Sequence, residues 1–239
     1  SGRTWLGEVC DLWIDEGLAP PNRNRKARSK TGVYWSGTSH ASLHNADILD
    51  KMYESGCTHL VYGLESFDSN ILKNLGKGSN RKNNMSSVSI CMKSGIIPVP
   101  NIIIGFPEET FDSIRNTITA LIELGIIAKP HFATPYPGSE WYFKYKNAIL
   151  KQYNGSLERY ILDLGDASSI SATISENFSS IELMGLQELV LKQDLRSLDI
   201  AEKHYEQSRI KDYKIHQGEE SFNFIPKNVK GPLATPENI

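Results

Sequence analysis

Three short stretches of this sequence set polar groups directly after apolar runs. Gly63-Leu64-Glu65-Ser66 closes the run 58–64, and Thr134-Pro135-Tyr136-Pro137-Gly138-Ser139 closes the run 126–134. Between them, Asn101 interrupts the run 97–104, which ends in Gly105-Phe106-Pro107-Glu108-Glu109-Thr110. A carboxylate in such a place can take an ammonium group or sugar hydroxyls by charge-assisted hydrogen bonds, or move a proton.

The run 97–104 organises the rest. Unbroken β-formers after Asn101 suit a strand buried on both faces, as in a parallel sheet. Gly105 and Pro107 stop it, and Glu108 and Glu109 then fall in the first turn of the next helix, where carboxylates favour the dipole. Ligands of parallel α/β sheets and barrels sit at the carboxyl ends of strands, so Asn101 and Glu108 flank a candidate site. An ordinary buried strand with a capped helix behind it accounts for the same residues.

The elements that must position these groups alternate. A helix over 4–18, capped by Thr4, precedes a strand over 33–38. A helix opened by Asn45 or Asp47 closes at Gly56, the strand 58–64 follows, and two helices start at Asp68 and run through Met85, Val88 and Met92. The strand 97–104, a helix 111–124, a strand 126–134 and a helix capped by Ser139 complete a βαβ series, which argues for a parallel sheet or barrel. After Asn154-Gly155 the alternation stops; one long amphipathic segment spans 181–206, and a polar tail begins at Ser208. The expected domains are 1–152, the barrel portion; 153–207, a mixed helical extension; and 208–239, the tail.

With 39% hydrophobic and 23% charged residues in 239, the chain has a globular composition. A net charge of -2 gives no footprint for nucleic acid, and no apolar run is long enough to span a bilayer; the expectation is a cytoplasmic protein. Cys10, Cys57 and Cys91 form neither a disulfide framework nor a CxxC half-site, and Cys57 and Cys91 read as small buried hydrophobes. The basic stretch 20–30 reads as a solvated loop or a phosphate contact. His40 and His44 have a metal-like HxxxH spacing, but without a zincin glutamate and with a turn expected there. Gly76-Lys77-Gly78-Ser79 is not a P-loop, because the first glycine and the preceding strand are missing.

In order and spacing, with Lys77-Gly78 between the first two, the three strand-end motifs resemble the radical S-adenosylmethionine superfamily, and within it the subgroup that often carries an upstream cobalamin-binding domain. The resemblance runs over about 4–150. It implies an α/β fold: about the last four strands of a six-stranded partial (β/α) TIM-like barrel, followed by the helical extension. It further implies that Glu65 and Ser66 contact the ribose or amino-acid part of S-adenosylmethionine. GxIxGxxE appears as Asn101-x-Ile103-x-Gly105-x-x-Glu108, supporting the adenine through Ile103 and Gly105, with Thr134 and Tyr136 nearby; asparagine replaces the first glycine. His40 stands where members often carry an arginine.

The family cleaves S-adenosylmethionine reductively at a [4Fe–4S] cluster held by CxxxCxxC, because soft thiolates retain such clusters. That motif is absent here. The resemblance therefore implies the C-terminal portion of a longer enzyme, inactive alone, whose partners are its own N-terminal half, an electron donor such as flavodoxin or ferredoxin, and a small-molecule substrate. Two other readings stay open: a clusterless barrel remnant used for binding or assembly, and an unrelated barrel enzyme using Glu65 and Glu108 in acid–base catalysis.

Overall fold

The computed structural model of the chain describes residues 2–23, 32–41 and 45–217, with side chains described over 5–23, 32–41 and 45–208. Four parallel strands, β1 (Trp35–Ser39), β2 (Cys57–Glu65), β3 (Ile97–Ile104) and β4 (His131–Phe132), are hydrogen-bonded in the order β1-β2-β3-β4. Sequential order with every pair parallel requires a crossover between each pair of neighbours. This is the winding of a (β/α) barrel; a doubly wound sheet reverses its strand order. The α/β class and the four-strand partial barrel expected from the sequence are both present.

The chain forms two compact units, one of Ser1–Ile102 with Ala120–Ala128, the other of Ile103–Thr119 with the chain from Lys129 onward. In the first, α1 (Gly2–Asp15) starts before Thr4, so Thr4 is not its cap. Asn45 caps α2 (Ala46–Glu54) through Ile48 N–H, Asp68 caps α3 (Ser69–Asn74), and Asn80 caps α4 (Arg81–Lys93). The buried side of α4 is Asn84, Ser87, Val88 and Cys91, at helical spacing, while Met92 is exposed.

The sheet of this unit has unlike faces. On β2, Leu60, Tyr62 and Leu64 are buried while His59 is exposed and Val61, Gly63 and Glu65 half-buried. The register pairs His59 with Ile97, Val61 with Val99 and Gly63 with Asn101, so these line the same face. Ile97 is 55% and Val99 38% exposed. The expectation that β3 is buried on both faces is therefore wrong over its first half: helices cover one face, and no described residue covers the other. Arg23, the one basic residue of the 20–30 stretch that is described, is not a solvated charge. Its guanidinium lies 4.2 Å from the Tyr53 ring centroid and 5.3 Å from that of Tyr34, and it donates to the Cys57 carbonyl. Residues 24–30 of that stretch and His44 lie outside the described residues.

In the second unit, β4 is only two residues long where the sequence suggested nine; Pro130 has no N–H to extend the ladder. Helix α5 (Phe111–Leu124) is capped by Thr110, whose Oγ1 accepts from Ser113 N–H at 3.1 Å. Glu108 and Glu109 precede the helix and do not sit in its first turn. Ser139 caps α6 (Glu140–Lys144). Two short helices, α7 (Lys146–Gln152) and α8 (Leu157–Leu162), enclose a cluster of Ile149, Tyr153, Tyr160 and Ala172. The single amphipathic segment expected over 181–206 is two helices, α9 (Ser180–Lys192) and α10 (Leu195–Gln217). Gln193 turns left-handed (φ 54°) and ends α9, and Asp194 accepts from Ser197 N–H at 2.9 Å to start α10. Helix continues past Ser208, where a tail was expected; residues from 218 onward lie outside the described part.

Gly105 has φ +86°, and an added Cβ would meet Leu183 Cδ1 at 3.0 Å. Gly105→Ala should therefore lower stability by about 1–3 kcal/mol, read as a fall in urea midpoint at unchanged m-value. All three cysteines are buried, as expected for Cys57 and Cys91, and burial pushes the Cys57 thiol up to about 12 and Cys91 to about 11. The folded chain holds them protonated above the pH at which unfolded thiols ionise, about 8.5. Stability from this source is complete below that pH and is lost as pH rises toward the folded values. The urea midpoint should fall from pH 8 to pH 10, and Cys57→Ala should reduce that fall.

Candidate functional site

The carboxyl end of β2 leaves regular strand geometry at one place. Gly63 pairs with Asn101 and Glu65 with Ile102, so the ladder slips between Gly63 and Glu65 as in a bulge. Glu65 takes φ +62°, and Ser66 N–H donates across it to the Leu64 carbonyl at 2.7 Å. A three-residue turn with a left-handed centre is rare and strained for a residue with a Cβ, and persists only where its surroundings over-determine it.

Those surroundings are specific. Asn84, fully buried on α4, donates its amide to the Leu64 carbonyl at 3.0 Å and the Ser66 carbonyl at 3.1 Å, one on each side of Glu65. Ser66 Oγ accepts from Asp68 N–H at 3.0 Å, and Asp68 Oδ1 accepts from Asn70 and Ile71 N–H at 2.8 and 3.0 Å. The turn is thereby tied to both α3 and α4.

The turn aims the Glu65 side chain. Its Oε1 pairs with the Lys77 ammonium, which also donates to the Gly63 carbonyl at 3.3 Å. Its Oε2 is buried and has no hydrogen-bond partner among the described residues. Lys77 sits between two left-handed glycines, Gly76 (φ 62°) and Gly78 (φ 67°). Gly63 supplies the room: a Cβ there would lie 2.9 Å from Lys77 Nζ and 3.0 Å from Glu65 Oε1. A buried carboxylate oxygen without a donor is costly, and a native one calls for an explanation. It fits a ligand that brings the donor. Asn101, half-buried opposite Gly63, stands on the same open sheet face, beside Val61 and Val99.

In the second unit the carboxylate that the structure uses is Glu109. It is 2% exposed, accepts from Gly105 N–H at 3.2 Å and from Ser113 Oγ, and its own carbonyl accepts from Asn177 Nδ2 at 2.9 Å. Glu108 is exposed. Ile103 pairs with His131, Thr134 Oγ1 donates to the Phe132 carbonyl at 3.0 Å, and Tyr136 is 40% exposed with its hydroxyl 3.3 Å from the Gly165 carbonyl. Sequence reading thus missed Asn84, Glu109 and the role of Lys77. Asn84 had a legible signal, since it stands four and seven residues before Val88 and Cys91 on the buried side of α4.

Among the described residues no three His, Cys, Asp or Glu form a group able to hold a metal. The thiols of Cys57 and Cys91 are protonated by burial, the wrong state for ligation. These residues do not fit an iron–sulfur cluster. The Glu65 turn does fit a ligand carrying hydroxyl or ammonium donors.

Residues 18–121 match the family model of the Radical SAM superfamily. The chain is similar to an uncharacterized methyltransferase of Pyrococcus horikoshii, 28% identical over 174 residues, 72% of this chain and 37% of that protein. It is also similar to the bacteriochlorophyllide d C-12(1)-methyltransferase of Chlorobaculum tepidum, 29% identical over 125 residues, 51% of this chain and 27% of that one. Among solved structures, the radical S-adenosylmethionine methyltransferase TsrM of Kitasatospora setae, with cobalamin and a [4Fe–4S] cluster bound, is 14% identical at a TM-score of 0.48, covering 60% of this chain and 28% of that one. The chain thus spans about a third of the length of the curated relatives it matches. No described helix is long and apolar enough to cross a membrane.

Asn84→Ala removes two hydrogen bonds from the ends of a strained turn. It should cost about 2–4 kcal/mol in denaturant unfolding, whereas Lys82→Ala, on the exposed side of α4, should cost less than about 1 kcal/mol.

Proposed function

We propose that this chain is part of a radical S-adenosylmethionine enzyme of the methyltransferase type, in which Glu65 binds the cofactor. The observation that carries this reading is the buried, unpartnered Oε2 of Glu65 at the carboxyl end of a parallel strand, held there by a strained turn. The radical SAM match and the names of the relatives support the chemistry. A [4Fe–4S] cluster, for which the described residues offer no ligands, would supply the reductive chemistry on S-adenosylmethionine in this reading, with an electron donor such as flavodoxin or ferredoxin. Cobalamin, if held by a further domain, would supply the methyl-transfer chemistry in this reading, with a small molecule as acceptor.

The chain's own contribution is binding and orientation. Glu65 Oε2 accepts from the cofactor's hydroxyl or ammonium donors. Asn101 offers an amide from the next strand. The Ser66 side chain is committed to Asp68 and holds the turn, so its part toward the cofactor is indirect. For the second unit taken by itself, the resemblance to the radical SAM family supports Ile103 and Gly105 as apolar and backbone surface for an adenine. Gly105 is held by Glu109, while Thr134 and Tyr136 flank the same strand end. The open sheet face of His59, Val61, Ile97 and Val99 forms a floor for the substrate.

Titration of S-adenosylhomocysteine, which no reductant can cleave, into the 239-residue chain by calorimetry tests the site. Glu65→Gln should weaken binding about tenfold or more, the loss of one charge-assisted hydrogen bond. Equal affinity in the two proteins would remove Glu65 from the cofactor site.

A further inference from the structure

The second unit has a groove of about 550 Å³ between α9 and α10, walled by Phe111, Phe178, Leu186, Leu189, Ala201 and Tyr205. Gly185 opens its floor: an added Cβ there would meet no atom within 4 Å. Apart from His204, which is exposed, the polar residues around it are engaged. Glu182 is held in the capping box with Ser179, and the Tyr205 hydroxyl donates to the Asn177 carbonyl at 2.6 Å. The Ser197 hydroxyl donates to Asp194 at 2.6 Å and that of Ser208 to the Tyr205 carbonyl at 2.8 Å. What the groove offers is apolar and aromatic surface, and an apolar occupant would remove that surface from water. Along α10 it extends from Ser197, near the turn at Gln193 and Asp194, to Ser208, about 16 Å at the helical rise.

Helix α10 continues to Gln217, about 14 Å beyond Ser208 at the same rise. The sequence then reads Gly218-Glu219-Glu220-Ser221-Phe222-Asn223-Phe224-Ile225-Pro226. Glycine is the residue that most often reverses a chain at a helix end. Residues 218–221 can reach back at most about 14 Å, which brings Phe222 level with Ser208, and residues 222–226 can span about 17 Å, the length of the groove. Phe222 and Phe224 alternate with Asn223, so an extended segment presents both rings on one side. We propose that this segment of the chain's own C-terminal tail, Phe222 to Pro226, docks in the groove with both rings between α9 and α10. Its tether favours it over a free partner, because a short connection sets a local concentration in the millimolar range. Docked there, the tail straps α9 and α10 to Phe111, the first residue of α5, and so supports the segment in which Glu109 holds Gly105.

The test uses the full chain. Chymotrypsin cleavage after Phe222 and Phe224, followed by mass spectrometry, should be about tenfold or more slower than in Gly185→Leu, whose added side chain fills the groove. Leucine is a better helix former than glycine and meets open space there, so Gly185→Leu should still unfold cooperatively at an unchanged m-value. Anilinonaphthalene sulfonate, a dye for exposed apolar surface, should fluoresce more with Phe222→Ser/Phe224→Ser than with the unaltered chain, and adding Gly185→Leu should remove the gain. Equal cleavage rates in the unaltered chain and Gly185→Leu overturn the proposal. Protection that vanishes on dilution assigns the groove to the tail of a second copy and overturns docking within one chain. A dye signal that Gly185→Leu leaves in place comes from a loosened fold elsewhere, and overturns the groove as the seat of the tail.

Discussion

The end of β2 depends on one buried amide. Asn84 donates to the carbonyls of Leu64 and Ser66, and between them Glu65 is held in a left-handed conformation that a glutamate does not adopt by itself. The strain has a purpose that packing alone lacks. A regular strand would point Glu65 along the ladder with its neighbours; the slipped register turns its carboxylate back over Gly63 toward Lys77. Strand, turn, helix cap and loop converge there: Ser66 on Asp68, Asp68 on the start of α3, Asn84 from α4, Lys77 from the connection between them.

The division of the first unit's sheet into a covered and an open face follows from the same geometry. Leu60, Tyr62 and Leu64 face the helices and are buried, which anchors the strand whose end carries the turn. Of the alternate residues His59 to Glu65, Glu65 stands at the carboxyl end of the strand, where ligands of such sheets are found. Apolar Ile97 and Val99 on the open face are a surface that does not serve the described core.

The second unit secures the end of β3 by different means. Glu109 is buried with its side-chain oxygens accepting from Gly105 and Ser113, which holds a glycine turn and the start of α5 together. Asn177 and Glu176 return to the same segment, donating to the Glu109 and Pro107 carbonyls at 2.9 Å. The Phe111 ring packs edge-on against Phe178 and Tyr205, and these two are tilted against each other, with centroids 5.0–5.8 Å apart; Arg115 joins α5 to Asp199 and Glu202 of α10. The C-terminal helices thus belong to the architecture that supports this loop.

The sequence by itself determined the alternation of strand and helix, the caps at Asp68 and Ser139, a helix start at Asn45 or Asp47, the end of β3 at Gly105 and the burial of Cys57 and Cys91. Each rests on local periodicity, turn chemistry or side-chain type, which act over a few residues. It also located Glu65 at a strand end. It failed where the deciding partner lies far along the chain. The amide that stabilises the Glu65 turn comes from 20 residues on, and the ammonium that pairs with it from 12. The choice between Glu108 and Glu109 turns on which carboxylate reaches Gly105 N–H and Ser113, and two adjacent glutamates look alike until the chain has bent. The exposure of Ile97 and Val99 was likewise hidden, because an apolar run reads as buried on both faces whether or not a second layer covers it. Tertiary structure decided these points, since hydrogen bonds across the fold and the coverage of each face have no period in the sequence.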